Sequence, residues 1–453
     1  MSALDAKVAA ARAAGAVSRL SGRGGTSLPG KVLMRLDRDA IAHLAARLQR
    51  GSAVISATNG KTTTAAMVAG ILERGGARLV HNRAGANMAG GIASTLLGAA
   101  RRGGAIDGDT GLFEVDEFWL GQLVAQLRPR AIVLGNLFRD QLDRYGELDT
   151  IAERWARVAA TTPATLVLNA DDPTVADLGR GREALFFGVQ DDGVALAAMQ
   201  HASDAKHCRR CGAPYRYDAI YLGHLGRYRC DACGARRPEP RVSAHDVELR
   251  GVAGARFTLR TPHGDAPVAL PLPGLYNVYN ALAAAALGLA LGAPLADVAA
   301  GLAAVAPAFG RAETVRTGGR ELSILLVKNP AGANEVLRTL ALEPGDHDLL
   351  CVLNDRVADG RDVSWVWDAD LELLAGRVRR ATCSGTRAAE MALRLKYAGV
   401  PEDRLRVEED LDRALDAATA DGSGRLFALP TYTAMLALRD VLVARGAARG
   451  SFA

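Results

Sequence analysis

The sequence predicts an α/β protein: a central domain with a parallel sheet and a phosphate-binding turn, a small zinc-ribbon insertion within it, and a C-terminal Rossmann-like α/β domain. Three observations carry that expectation. Short apolar runs alternate with amphipathic segments from residue 51 and again from about residue 308, as parallel strands with crossover helices require. A Gly-Lys-Thr turn separates the first apolar run from the first amphipathic one. Two Cys-x2-Cys pairs sit where the alternation lapses. The division expected is an N-terminal helical segment over 1–50, a central domain over 51–307 with the cysteine insertion near 200–240, and a C-terminal domain over 308–453.

The first stretch, "MSALDAKVAAARAAGAVSRLSGRGG", is Ala-rich with Arg spread through it. It lacks the compact apolar core and small-residue cleavage site of a secretory signal, so an amphipathic surface helix is expected. "SAVISATNGKTTTAAMVAGILERGG" reads as strand, turn and helix, and "ARLVHN" as a second strand. "TGLFEVDE" and "RAIVLGNL" are buried-strand runs with helical "FWLGQLVAQL" between them, and "ATLVLNADDP" repeats the pattern. After the irregular stretch near 190–245, "VELRGVAGARFTLRTPHGDAPVALPL" alternates like antiparallel strands, and "LYNVYNALAAAALGLALG" is a strong helix. The second α/β pattern then runs through "ELSILLVKNP", "HDLLCVLND", "RRATCSGT" and "RLFALP", each expected to lead into a helix.

Composition narrows the function classes. Hydrophobic residues at 49% and charged residues at 23% are the balance of a globular protein. A formal charge of only +5, with both signs mixed along the chain, argues against a nucleic-acid or membrane-surface protein. No apolar run reaches the ~18–20 residues of a transmembrane segment. Six cysteines without an export signal do not make a disulfide framework, so a cytoplasmic location is expected.

The turn Thr58-Asn59-Gly60-Lys61-Thr62-Thr63 holds the residue types that a nucleotide triphosphate needs. Backbone N–H groups and a helix N-terminus cradle phosphates, Lys61 adds a positive charge, and the Thr62 hydroxyl can ligate Mg2+. The eight-residue P-loop pattern is incomplete, because Ile55 stands where its first Gly belongs. Strand, turn and helix nevertheless follow in the required order.

Cys208-x2-Cys211, an 18-residue gap, then Cys230-x2-Cys233 has the spacing of a closed structural Zn(Cys)4 site. Gly212 and Gly234 follow the second cysteine of each pair, as a tight knuckle prefers. A redox dithiol pair is one alternative. Nucleic-acid contact is another, raised by Arg209, Arg210, Arg227, Arg229 and the nearby tyrosines. In the C-terminal domain, "NDRVADGRDVSWVWDAD" (354–370) gathers Asp355, Asp359, Asp362 and Asp368 after an apolar strand, where α/β sheets place their ligands. An acidic surface turn anchored by Trp365 and Trp367 is the plainer reading of most of these acids.

"TNGKTTT", "NADDP", "GLYNVYNALAA" and "FGRAE" occur in the order and spacing of the Mur ligase family, which joins an amino acid to a carboxylate of a peptidoglycan precursor through an acyl phosphate. Folylpolyglutamate synthases share that core. The resemblance implies that Glu114 holds Mg2+ with Thr62, that Asn136 lies near the phosphates, and that Asn277 and Arg311 contact ATP from either side of a domain boundary. Three positions depart from the family. Ala57 replaces the first Gly of the loop, and Gln141 stands where a metal-binding His is usual. "LVKNPAG" puts Lys328 in a second His position, with the Asp of that motif absent.

The core together with the cysteine insertion, "KNPAG" and "ADGRDVSW" is similar to one branch of the family, the synthetase subunits of the two-protein enzyme that amidates lipid II. The similarity runs from "SLPGKV" (27–32) to "LPTYTAML" (429–436). It implies ATP-dependent phosphorylation of the α-carboxyl of D-glutamate in the lipid II stem peptide, and ammonia delivered by a GatD-type glutaminase partner to give D-isoglutamine. It also implies an essential aspartate, matched to Asp362, that completes a Cys-His-Asp arrangement with the partner; Asp355 and Asp359 are the backups. Ammonia needs no amino-acid pocket, which accounts for the departures at Gln141 and Lys328. The competing expectations are a stand-alone ligase that adds an amino acid, and a nucleotide-binding scaffold whose zinc ribbon contacts nucleic acid.

Overall fold

In a computed structural model the described residues are 3–20, 27–82, 86–101, 105–140, 148–201, 203–306, 311–420 and 425–448. The central sheet is built on β1 (Ser52–Ser56), β2 (Leu79–His81), β3 (Thr110–Glu114), β4 (Ala131–Leu134), β5 (Thr165–Asn169) and β6 (Ala184–Val189), all parallel. An antiparallel extension of β9 (Val242–Leu249), β10 (Ala255–Thr261) and β11 (Gly264–Leu270) joins at β6, giving the order β11-β10-β9-β6-β5-β4-β1-β3-β2. Between β6 and β9 the chain leaves the sheet for a separate hairpin, β7 (Arg216–Leu222) and β8 (Leu225–Arg229).

Alternate residues of each central strand face opposite helical layers. Ala53, Ile55, Val133 and Val167 pack under α4 (Lys61–Arg74), α9 (Leu275–Ala290) and α10 (Leu295–Ala303). Val54, Phe113, Ile132 and Leu166 pack on the other side, against α5 (Ala89–Ala99), α6 (Leu120–Leu127) and α7 (Leu148–Thr161). The N-terminal helices α1 (Ala3–Leu20), α2 (Leu28–Leu36) and α3 (Ala40–Ala45) add Val8, Ala11, Leu33, Ile41 and Leu44 to that second layer. A short α8 (Pro173–Asp177) follows β5, with Asp172 accepting from the N–H groups of Thr174 (2.9 Å) and Val175 (3.1 Å).

The C-terminal sheet has the order β12-β13-β17-β14-β15-β16, from β12 (Arg311–Thr317), β13 (Arg320–Leu325), β14 (His347–Val352), β15 (Val378–Ser384), β16 (Leu405–Val407) and β17 (Arg425–Pro430). Only β12–β13 is antiparallel, and α11 (Pro330–Ala341), α12 (Ala388–Tyr397), α13 (Leu411–Thr419) and α14 (Tyr432–Ala444) cover the faces. One expected helix is missing. After β14 the chain forms 3-10 turns at Ser364–Trp367 and Leu371–Arg377 instead. The reason is local: Asp362 accepts the Ser364 N–H at 2.8 Å, and such side-chain bonds compete with helix propagation.

The two sheets meet along α11. Arg338 donates to Tyr221 O at 2.9 Å and Val194 O at 2.6 Å, and Glu343 accepts the Val252 N–H at 2.6 Å. Glu335 is 1% exposed, stands 3.8 Å from Arg338, and faces the first N–H groups of α9. Burial pushes its carboxyl up to about 7, against Arg338 and the N–H groups of Tyr276 and Leu275. Because this folded-state pKa lies above the ordinary 4.5, the associated stability is complete below pH 4.5 and is lost as pH rises through about 7. Glu335→Gln is therefore expected to raise the melting temperature at pH 8, by at most about 3 kcal/mol of stability, and to match the parent at pH 4.5. Thermal melts at both pH values check this; a variant less stable at pH 8 counts against it.

Candidate functional site

The loops after β1, β3 and β4 converge at the carboxyl ends of the central sheet, where an open α/β sheet binds ligands. Gly60, at φ 90°, turns the chain from β1 into α4. A Cβ there would lie 1.9 Å from Asn280 Oδ1, so both backbone angle and contact demand glycine. Asn136 clamps the turn: its Oδ1 accepts the Asn59 N–H at 2.9 Å and its Nδ2 donates to Asn59 O at 3.1 Å. Thr58 is locked to the same loop by Phe138 N at 3.1 Å, and Thr63 is buried in the first turn of α4.

Thr62 Oγ1 donates to Glu114 Oε2 at 2.9 Å. Glu114 is 1% exposed, and Asn82 holds its backbone at 2.9 Å on both N–H and C=O. The hydroxyl and carboxylate oxygens therefore meet at one point, a donor set suited to Mg2+. Lys61 Nζ bonds Ala57 O and forms an ion pair with Glu117 Oε2 at 2.9 Å. Asp116 is also buried and caps the following turn through the Phe118 N–H at 3.1 Å.

The C-terminal domain reaches this turn through the β13–α11 loop. Lys328 Nζ donates to Thr58 O at 3.1 Å and to Asp140 Oδ2 at 2.6 Å. Asn329 and Asn59 exchange amide bonds at 3.0 and 3.3 Å, while Asn329 Oδ1 also caps α11 through Gly332 N at 2.9 Å. Asn277 is buried on α9, bonded to Pro273 O at 2.7 Å and to Asn280 Nδ2 at 3.0 Å, and Asn280 Oδ1 lies 3.4 Å from Thr64 Oγ1. Arg311 begins β12, but its side chain lies outside the described residues, as does Gln141. Glu117, Asp140, Asn280 and Asn329 were not singled out from the sequence. Asn280 had a signal in its i, i+3 spacing from Asn277, and Asn329 in the Asn-Pro start of a helix; Glu117 and Asp140 had none.

The three acids of the C-terminal loop separate clearly. Asp359 is 5% exposed and accepts the Thr433 N–H at 2.7 Å, a buried brace. Asp355 bonds Thr386 Oγ1 at 2.8 Å and Arg387 at 3.3 Å. Asp362 alone of the three is exposed and carries no cationic partner among the described residues. Hydrogen bonds from the Ser364 hydroxyl and N–H hold its carboxyl below the usual range, so it is ionised at neutral pH. Cys351 and Cys383 sit side by side on β14 and β15, both buried, and burial raises both thiols.

The four insertion cysteines come together with all Sγ atoms within 4.8 Å of one another. Cys208–Cys233 and Cys211–Cys230 are each 3.5 Å apart. The two knuckles repeat one geometry. Gly212 N bonds Cys208 O at 2.8 Å and Gly234 N bonds Cys230 O at 3.0 Å, with both glycines left-handed at φ 76° and 73°. Four thiolates about one centre fit tetrahedral Zn2+. The arginines that raised the nucleic-acid reading are committed to aspartates: Arg209–Asp149 at 2.5 Å, Arg210–Asp177 at 2.7 Å, Arg227–Asp192 at 2.8 Å and Arg229–Asp218 at 2.6 Å. Tyr215 packs edge-on against both Tyr217 and Tyr228, which are tilted against each other, with centroids 5.1–6.5 Å apart.

Around the knuckles the buried cluster is small, Cys208, Cys230 and Ala235, while Ala219, Tyr221, Leu222 and Leu225 of the hairpin pack into the core of the central domain. A metal ion on the four thiols would tie the two knuckles together. Cys211→Ser is expected to abolish zinc content and to lower the melting temperature by about 5 °C or more. Metal analysis with thermal melts checks this, and unchanged stability in a metal-free variant would exclude a structural zinc.

Residues 55–228 match the Mur ligase middle domain, and residues 326–435 match the MurT ligase C-terminal domain. The chain is 32% identical, over 95% of its length and 94% of the relative's, to the lipid II isoglutaminyl synthase (glutamine-hydrolyzing) subunit MurT of Streptococcus pneumoniae (strain ATCC BAA-255 / R6). It is 33% identical, over 95% and 96%, to the subunit of the same name from Staphylococcus aureus (strain N315). Among solved structures it resembles a pseudomurein peptide ligase type C from Methanothermus fervidus, with TM-score 0.68, 22% identity and 89% and 80% coverage. It also resembles the Mycobacterium tuberculosis folylpolyglutamate synthase solved with ADP and AMPPCP, with TM-score 0.61, 18% identity and 91% and 96% coverage. At those identities the structural likeness speaks for the fold, a Mur ligase-like α/β architecture.

Proposed function

The chain belongs to the MurT family of Mur ligases, and from that premise we propose that it is the synthetase subunit of a lipid II isoglutaminyl synthase. It amidates the α-carboxyl of D-glutamate in the stem peptide of lipid II to D-isoglutamine, at the expense of ATP. A GatD-type glutaminase supplies the ammonia. One observation carries this reading: a nucleotide turn with Lys61, Thr62 and Glu114 in place coexists with an exposed, ionised Asp362 in a domain whose two cysteines, Cys351 and Cys383, are both buried.

In this reading residues 51–307 bind the nucleotide and residues 308–453 close over it and receive the partner. The N–H groups of the Thr58–Thr63 turn and the α4 N-terminus bind the phosphates, and Lys61 neutralises charge on the transferring phosphoryl group. Thr62 and Glu114 would hold Mg2+, which when bound spreads charge from the β- and γ-oxygens. Asn136 keeps the turn rigid, and Asn277 and Arg311 take the rest of the nucleotide. A carboxylate oxygen of the substrate attacks the γ-phosphorus as the bond to ADP breaks. Ammonia then adds to the acyl carbon, phosphate leaves with the C–O bonding pair, and a proton is released. Lys328, tied to Asp140 beside the turn, stands where the amino-acid-adding ligases carry a His, a replacement compatible with ammonia as the nucleophile. Asp362 orients the partner's imidazole and stabilises its charged form while a thiolate attacks glutamine. The zinc site staples the insertion and takes no part in the chemistry.

No helix among the described residues is long and apolar enough to cross a membrane. The test is direct: the purified chain, ATP, lipid II and ammonium should yield ADP and amidated lipid II without the partner. Strict dependence on an added amino acid would favour the stand-alone ligase instead.

Glu117 holds Lys61 before ATP arrives, at 2.9 Å, and repels the incoming triphosphate. Glu117→Gln is expected to tighten ATP binding about 3- to 10-fold, roughly 1 kcal/mol. Equilibrium titration of ATP reads it; weaker binding would instead make Glu117 a direct contributor to the metal-nucleotide site.

A further inference from the structure

A groove of about 800 Å3 opens between α1, α3 and the end of α6, lined by Lys7, Asp37, His43, Arg47, Gln126 and Arg128 among others. Gly51, which leads into β1, lies on its wall, so the groove sits at the amino end of β1. The nucleotide turn is at the other end of that five-residue strand, about 17 Å along. Nothing in the ligase chemistry uses it.

Three features mark it as built. The carboxylate lining it, Asp37, is already matched by Lys7 at 3.3 Å and His43 at 3.2 Å. No carboxylate among the described residues pairs with Arg47 or Arg128, and Arg47 Nη1 is buried with no acceptor. Gln126 Nε2 donates to Arg38 O at 3.4 Å, which orients the amide and leaves Oε1 buried with no donor. Arg128 is the left-handed C-terminal cap of α6, at φ 44° with its N–H on Val124 O at 3.0 Å, which fixes the backbone that carries its guanidinium. Buried donors and acceptors are normally satisfied, so one unmatched guanidinium N–H and one unmatched amide oxygen in the same groove call for a ligand.

We propose that this groove binds a phosphorylated sugar. The forks of Arg47 and Arg128 suit phosphate oxygens, and Gln126 Oε1 accepts from a neighbouring hydroxyl or amide N–H of the ligand. Two sources offer that chemistry: the sugar diphosphate of the lipid-linked substrate, reaching along the domain from the reacting carboxylate, or a soluble sugar phosphate.

The binding test uses inorganic pyrophosphate and full-length protein carrying Lys61→Ala, which disables the nucleotide turn. Equilibrium dialysis should show saturable binding, weakened at least tenfold by Arg47→Gln and by Arg128→Gly. The second variant removes a charge while relieving the left-handed backbone, so it keeps the fold. This arm requires no turnover and stands apart from the ligase reading. With Lys61 intact, a tenfold or larger rise in KM for lipid II at unchanged kcat in Arg47→Gln/Arg128→Gly assigns the groove to the substrate's diphosphate. An unchanged KM, with pyrophosphate binding lost, assigns it to a soluble ligand. Absence of saturable binding, or binding that neither variant weakens, overturns the proposal.

Discussion

Lys61→Ala is expected to lower ATP-dependent amidation by at least about 10^3-fold, with ammonium and with glutamine alike. Lys61 stands at the N-terminus of α4, next to Thr62 of the Thr62–Glu114 pair, where the proposed reaction has phosphoryl charge to neutralise. Lys328 does not replace it, being held by Asp140 and Thr58 O. Removing Lys61 also strips Glu117 of its counter-ion, and a carboxylate only 9% exposed resists being left alone. Lost activity could therefore be blamed on lost stability. Lys61→Ala/Glu117→Gln separates the two: it should restore the melting temperature and leave ligation dead. Single-turnover ADP release, read beside thermal melts, decides. Wild-type amidation by Lys61→Ala would remove this turn from the chemistry.

Asp362→Asn should divide the two nitrogen sources. Glutamine-driven amidation is expected to fall about 10^2- to 10^4-fold, as when a histidine loses the carboxylate that orients it. Ammonium-driven amidation should stay within about twofold of the parent. The substitution is gentle on the fold, because the Asn oxygen can still accept the Ser364 N–H that Asp362 binds at 2.8 Å. Asp359→Asn is the contrasting control: its buried carboxylate accepts the Thr433 N–H at 2.7 Å, so any loss there should come with a lower melting temperature and strike both nitrogen sources. Equal loss with glutamine and ammonium in Asp362→Asn would move that residue from the partner's reaction to the synthetase reaction.

Much of this architecture was legible in the chain. The central strands read as unbroken apolar runs because both faces of a parallel sheet are buried, and β1 is buried at all five positions. The two cysteine knuckles were legible because each is a local device, closed by residues a few places apart. The turn at 58–63 was legible from its residue types, although Asn136 and Phe138 close it from 77 and 80 places away. The expected helix after β14 failed for an equally local reason, the Asp362–Ser364 bond, which periodicity does not report.

Residue chemistry and short spacings thus determined the α/β class, the phosphate turn, the four-thiolate cluster and a list of acids among which Asp362 stood. Only the tertiary structure decided which of those acids is a brace and which is open to solvent, that Lys61 rests on Glu117, and that Lys328 and Asn329 reach the turn from the other domain. Asn59 and Asn329 are 270 positions apart in the chain. Such contacts depend on how two separately folded sheets dock, and that is fixed by shape and burial summed over the interface, which no short stretch of sequence encodes.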